Sequence, residues 1–497
     1  MPLLMPDDFS FLHLVAWRVE YGTEDAENPL LEGVLPWDSG GIGIHSSIFK
    51  DPLTGRWKTY LVCTPPEETN EDWRQPWNSG NDGKRRLCVF DSADGVHWTR
   101  PELQEVPFGE HKTTNILLRL DQGTAAYSSI MIDPSDRDNP YLMYVLREKS
   151  VEGKPPSGKN GFYRYRSPDG YHWELLSDVI TGPISGDSGF IYRFKPDQYV
   201  AYYRLGQPKQ PGDYVPIFED TARRTIMRAT SSDGIHWTQD QSMLLTNDAL
   251  DHTDTQYQEL VPLRVKGGYL ATVTIYHPIS QTQDLRVAAS RDGSHWWFPD
   301  RRPALGNAPL GDYGGGMIWS SQNLIVENGR LYFYYGGTEG THRELVDSLA
   351  PSKSVGYLED VIDRGAHFLP FNSALCRASW QYDRMYALIA AAGGPTVGIA
   401  LTKPRELAGK KLFVDLVTRP AKKSSVSGFD GGYLQVELLD ANDRPIPKFS
   451  RDDCPPVKGD HHALQVIWSG GGIMPKEASK ARFYLKRVSL YGFDYRD

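Results

Sequence analysis

Four segments decide the fold: DSADGVHW (91–98), RSPDGYHW (166–173), TSSDGIHW (230–237) and SRDGSHW (290–296). Their Asp-Gly pairs begin at Asp94, Asp169, Asp233 and Asp292, so the signature recurs after 75, 64 and 59 residues. A supersecondary unit that returns at such intervals is the mark of a β-propeller whose blades carry loops of unequal length. Asp-Gly followed by an aromatic strand start is a hairpin signal, because a tight turn needs positive φ and glycine accepts it. Upstream of each turn runs an alternating aromatic strand: RWKTYLVC from Arg56, PYLMYVLR from Pro140, QYVAYYRL from Gln198 and GYLATVTI from Gly268. A fifth copy, RLYFYYGG from Arg330, lacks the Asp-Gly-x-His-Trp that should follow. Five second strands predict five blades.

Working outward, helical periodicity is nearly absent and turn signals recur at hairpin spacing, which makes the chain all-β. The blade pattern stops near Arg377; KKLFVDLV, GYLQVELLDANDRPIP and ARFYLKRVSLYGFDY then read as short strands of a C-terminal β-sandwich. The expected organisation is a lead-in at 1–35 that closes the ring by pairing with the last blade, a five-bladed propeller at 36–376, and a sandwich at 377–497.

Composition removes several classes. With 54 Lys+Arg against 63 Asp+Glu the net charge of the 497 residues is −9, the wrong sign for gripping nucleic acid. No apolar run approaches a membrane span. Cys63, Cys88, Cys376 and Cys454 are scattered, with no CxxC spacing for zinc and no disulfide framework. The opening MPLLMPDDFSFLHLV has neither a basic stretch nor a small-residue cleavage site. That leaves a cytoplasmic chain, or a secreted or periplasmic one numbered without its leader. Oligomeric state is not encoded in any feature found.

Among the thirteen histidines, His97, His172, His236 and His295 belong to the repeated signature. Equivalent positions of different blades lie apart around a ring and cannot share one ion, so they predict turn packing and no metal. No cofactor motif is present either.

Chemistry in a propeller gathers where the innermost strands line the axial funnel. The five inner segments are GGIGIHSSIF (40–49), TAAYSSIMI (124–132), SGDSGFIYRF (185–194), TQYQELVPL (255–263) and GGMIWSSQNL (315–324). Two carry a carboxylate at their centre, Asp187 and Glu259, while Asp38, Asp254 and Asp312 lie on entering loops. A pair of acids in an aromatic-rimmed funnel suits glycosidic cleavage, in which one protonates the leaving oxygen and the other attacks or activates water. Glu259 is expected as proton donor, Asp187 as base or nucleophile, and Asp38 as a third carboxylate. Trp37 and Trp319 are candidates for stacking on a sugar. His45, His252 and His342 are candidates for bonding its hydroxyls, and Tyr127, Tyr257 and Arg204 complete the substrate-binding set; Arg204 and Arg147 follow second strands at matching positions, which suits either substrate clamps or blade-to-blade ion pairs.

With these residues in hand, the blade signatures resemble the Asp-box hairpins of sialidase propellers, where the box is a folding element away from the active site. The whole arrangement resembles the five-bladed propeller glycoside hydrolases of families 32, 43 and 68. The DGxHW turns followed by GYLQVELLDANDRPIPKFSRDDCPPVKGD are similar to an uncharacterised bacterial glycosidase-like group. The resemblance implies carbohydrate as the partner and one acid from each of the first three blades. Here blade two offers Tyr127, Ser128 and Ser129 instead of an acid, and no WMNDPNG-like box is present. Two alternatives stand beside a hydrolase: a non-catalytic carbohydrate-binding propeller, and a polysaccharide lyase using Tyr127, Tyr257 or His252 with Arg204.

Overall fold

The computed structural model describes residues 1–64, 86–119, 125–147, 161–180, 188–208, 222–240, 242, 244–252, 254–341, 373–390, 396–420 and 431–497. The protein is all-β. Among the described residues the one helical element is the 3-10 turn Pro6–Asp8, and no helix is long and apolar enough to cross a membrane.

Five antiparallel sheets follow one another along the chain in a propeller. The first contains Ile42–Gly43 and Ile48–Lys50, then Trp57–Cys63, Arg86–Ser92 and Trp98–Thr99. The second orders Ala125–Ile132, Tyr141–Arg147, Gly161–Ser167 and Glu174–Ile180; the third orders Gly189–Lys195, Gln198–Pro208, Ala222–Ser231 and Thr238–Gln239. The fourth has Gln256–Val265, Gly268–His277 and Thr282–Ser290. The fifth has Ile318–Glu327, Arg330–Thr338 and Ser373–Gln381, and its outer strand is Thr23–Glu24 from the start of the chain. The aromatic runs read from the sequence are the second strands. Each lies between two neighbours, and Trp57–Cys63 is buried at every residue, including Lys58, whose Nζ donates to the Asp169 carbonyl at 2.7 Å, and Thr59, whose hydroxyl donates to the Ser47 carbonyl at 3.2 Å.

The repeated signature folds identically four times. The Gly amide donates to the hydroxyl of Ser92, Ser167, Ser231 or Ser290 at 2.8–2.9 Å. One oxygen of Asp94, Asp169, Asp233 or Asp292 accepts two main-chain N–H groups at 2.8–2.9 Å. The other oxygen faces the histidine Nδ1 at 2.6–2.8 Å. The four turn glycines have φ between +73° and +79°.

A tyrosine of the adjoining sheet then locks each turn. The phenol of Tyr60 donates to the Gly170 carbonyl at 2.9 Å, that of Tyr144 to Gly234 at 3.1 Å, and that of Tyr202 to Gly293 at 2.8 Å. Tyr334 of the fifth sheet donates to Gly95 of the first at 2.9 Å. The lock therefore steps from sheet one to two, two to three and three to four, and returns from five to one. A Cβ at Gly234 would lie 2.2 Å from the Tyr144 hydroxyl, so glycine serves both the turn and the close approach. The signature Trp packs on the same tyrosine, as Trp173 does edge-on against Tyr60 with ring centres 6.0 Å apart.

Beyond the propeller two sheets face each other over a second core that includes Leu412, Val436, Phe483 and Leu490. One orders Phe9–His13, Gly398–Thr402, Lys480–Lys486 and Tyr433–Leu439. The other orders Val15–Val19, Tyr386–Ala390, Val488–Arg496, Lys411–Thr418 and Asp460–Gln465. Of the first 35 residues, Thr23 and Glu24 pair with Ser373–Gln381 of the fifth sheet, whereas Phe9–His13 and Val15–Val19 are strands of the sandwich. Ser373–Gln381 runs across the boundary expected at residue 376. Trp17 meets Trp297 of the fourth sheet's return edge-on at 4.8 Å, joining the two cores.

Candidate active site

The inner strands are irregular where they converge. Register shifts fall between Tyr257 and Glu259, between Ser320 and Leu324, and between Ala125 and Tyr127. Bulges of this kind re-aim side chains and are common beside active sites. In the first sheet the inner strand is broken between Gly43 and Ile48, which frees His45, Ser46 and Ser47 to face the axis.

Glu259 lies at this convergence and is 3 % exposed. Its Oε2 accepts the Thr274 hydroxyl at 3.1 Å and the Ser320 N–H at 2.9 Å. Its Oε1 is 3.8 Å from Nδ1 of His45. Trp319 stands edge-on to the His45 ring with centres 4.8 Å apart. Beside Glu259, the Gln258 carbonyl oxygen of the side chain accepts from both Arg204 and Arg224 at 2.9 Å. The Arg224 guanidinium covers the Tyr276 ring at 3.8 Å. Three residues expected at the funnel, Glu259, His45 and Trp319, are therefore brought together, with Thr274 and the Ser320 main chain added, while Arg204 meets Arg224 on Gln258.

Other expected residues have different surroundings. Asp38 is fully buried; one oxygen accepts the Val34 and Leu35 amides at 2.7 and 2.6 Å, and the other accepts Arg100 Nε at 2.8 Å. Trp37 is core, with its indole N–H on Asn115 at 2.7 Å and its ring against Phe108 and His111. Tyr257 donates to Asp251 at 2.8 Å and accepts from Arg301 at 2.8 Å, and burial beside the Asp251 carboxylate pushes its phenol well above the usual range. His252 is exposed on Asp254, 2.6 Å away. Asp187, His342 and the side chains of Tyr127 and Arg147 lie outside the described residues.

On the far side of Asp254 stands His277, with Nδ1 3.6 Å from Asp254 and Nε2 2.9 Å from Asp284. Burial alone would lower its pKa, but the two carboxylates prevail and raise it. Among the described residues no group of three or more His, Cys, Asp and Glu side chains is arranged to hold a metal ion, and all four cysteines are free and buried.

Sequence reasoning passed over the polar ring around the axis. Ser46 and Ser128 share a hydroxyl hydrogen bond, Ser129 accepts the Ile191 N–H at 3.0 Å, and Gln322 reaches three other sheets. The available signal was the Ser-Ser pair that recurs at 46–47, 128–129 and 320–321 in three inner segments.

No family model matches the chain, and no curated relative matches it in sequence. Solved structures do resemble it. A β-1,2-mannobiose phosphorylase from Listeria innocua has 15 % identity and a TM-score of 0.46 over 73 % of this chain and 98 % of that one. A glycosyl hydrolase from Bacteroides ovatus has 13 % identity and a TM-score of 0.46 over 77 % and 97 %. A fructofuranosidase from Schwanniomyces occidentalis has 11 % identity and a TM-score of 0.44 over 96 % and 99 %.

Proposed function

We propose that the protein is a glycoside hydrolase that cleaves an oligo- or polysaccharide in the axial funnel of a five-bladed propeller, with Glu259 as proton donor. One observation carries this reading: Glu259 is a buried carboxyl on an inner strand, with Oε2 held by the Thr274 hydroxyl and the Ser320 N–H and Oε1 3.8 Å from Nδ1 of His45. A general acid needs a carboxyl held in a fixed orientation, since the proton must be presented from a defined position.

The proton passes to the glycosidic oxygen as the bond to the anomeric carbon breaks, and the leaving sugar departs as an alcohol. Asp187, from its place in the third inner segment, is proposed as the carboxylate that attacks the anomeric carbon or activates water. Arg204 and Arg224, converging on Gln258, border the substrate, and Trp319 fixes the His45 ring. Asp38 is assigned a different part: both oxygens are engaged by Val34, Leu35 and Arg100, which makes it the anchor of the loop entering the first blade. The carbohydrate-binding alternative predicts retention of sugar without release of reducing ends.

The test is a glycan-library screen for released reducing ends, followed by Glu259→Gln and Asp187→Asn on the substrate found. Both variants should fold and lose turnover, and Glu259→Gln should be partly spared on an aryl glycoside with a good leaving group. Wild-type turnover in both would refute the assignment.

A further inference from the structure

We propose that Gln322 is a positioning residue that sets the geometry between Glu259 and His45, an inference that rests on reading this pair as the seat of the chemistry. The glutamine is 1 % exposed and belongs to the fifth sheet. Its Nε2 donates to the Ile191 carbonyl of the third sheet at 2.6 Å. Its Oε1 accepts the Ser47 hydroxyl of the first sheet and the Ile130 N–H of the second, the latter at 3.1 Å. Its main chain adds a donor to the Ser46 carbonyl at 2.9 Å and an acceptor for the Tyr192 phenol at 3.0 Å. One residue thereby joins the fifth sheet to the first three.

Its location makes those bonds decisive. Ser321, Gln322 and Asn323 have no partners in the ladder to the second strand, because the register breaks between Ser320 and Leu324. The facing stretch of the first sheet, residues 44–47, is likewise outside the named strands. Two segments without a continuous ladder thus carry two of the groups around Glu259: Ser320, whose N–H bonds Oε2, and His45, which faces Oε1. Gln322 lies two residues after Ser320 and bonds the residue after His45, so it ties both segments to each other and to the remaining sheets. The His45 carbonyl is held in turn by Ser128 N–H at 2.8 Å. The carboxamide supplies a donor for Ile191 and an acceptor for Ser47 and Ile130 from one side chain, which an ionised carboxylate or an apolar side chain does not. Networks of this kind fix one arrangement when every member is satisfied.

The experiment compares the wild type, Gln322→Leu, Gln322→Glu and, as a stability control, Asp94→Ala. Histidine-selective NMR follows the His45 ring resonances, assigned with His45→Asn; kcat and KM are measured across pH on the glycan from the reducing-end screen. Gln322→Leu should displace the His45 ring resonances and lower kcat by about 10- to 100-fold with KM within about twofold, as small misplacements of reacting groups do. Asp94→Ala should move neither. Gln322→Glu should recover activity and the wild-type His45 signal toward acid pH, where the protonated carboxyl again donates to Ile191, and lose both as it ionises. That series also supplies the answer if the leucine variant does not fold. Wild-type His45 resonances and kcat in folded Gln322→Leu, or a pH-independent Gln322→Glu, would overturn the proposal. Displaced His45 resonances together with unaltered turnover in Glu259→Gln would sustain the positioning role and defeat the hydrolase assignment instead.

Discussion

Two of the protein's settings for a carboxylate–histidine pair invite comparison. Four pairs lie on the hairpin turns at the rim, and their side chains are open to water, as with Asp94 and His97 at 50 % and 79 % exposure. One lies on the axis, where the side chains of Glu259 and His45 are exposed by 1 % and 10 %. The rim pairs have short contacts and shifted protonation: the His97 and His236 rings hold Asp94 and Asp233 well below the usual carboxylate range, and Asp94 and Asp169 raise His97 and His172. The axial pair is longer and is not part of any repeat. The contrast teaches that a perturbed pKa and a tight hydrogen bond identify a well-made turn as readily as a reactive centre. What separates the two is multiplicity and surroundings: the rim pair is copied in four sheets, whereas the axial pair is assembled from sheets one and four with a donor from sheet five.

The sharpest way to break this contrast is to remove one acid from each setting. Glu259→Gln should reduce turnover of a natural glycan by about 10²- to 10⁴-fold, with its thermal midpoint and far-ultraviolet circular dichroism close to wild type. A loss of that size from Asp94→Ala in fully folded protein would erase the distinction. Next in size is Gly234→Ala. Its positive φ and the 2.2 Å approach of the Tyr144 hydroxyl should make it cost about 3 kcal/mol in denaturant unfolding, while specific activity per folded molecule is retained. Asp94→Ala should cost about 1 kcal/mol by the same measurement, since it removes a turn acceptor from an exposed site.

The smallest effect is on the pH dependence of thermal stability. Asp94 and Asp233 have lowered pKa values when folded, so their contribution is present above the ordinary carboxylate range and declines as pH falls through it and below. His97 and His172 have raised values, so their contribution is complete below the ordinary imidazole pKa and declines as pH rises through the raised one. Replacing His97 and His172 by Gln should flatten the alkaline decline and leave the axial pH–rate profile in place.

The propeller sheets were legible because each carries an aromatic second strand, and four of the five add a turn glycine and a tryptophan. The site was legible only in part. Glu259, His45 and Trp319 stand together as inner-strand reading requires, yet Trp37 and Tyr257 from the same region are committed to Asn115 and to Asp251 with Arg301. Simple alternation fails there because each register shift exchanges the face of every residue beyond it. Gln322 escaped notice for a related reason, since its value comes from five partners remote in sequence. The sandwich strands at 9–19 were also unreadable locally, for their partners are Gly398–Thr402 and Tyr386–Ala390.

That last pairing bears on how the molecule is made. Phe9–His13, Val15–Val19 and Thr23–Glu24 each pair with a strand that lies beyond residue 372. At about 5–20 residues per second these segments wait roughly 20 to 75 s for their partners. The first four sheets can assemble in order behind them, but neither the last propeller sheet nor the sandwich can close until those later strands have been made. Through that interval the chain holds out unpaired strand edges, including the exposed ring of Phe11, and it is there that holding chaperones would have their window.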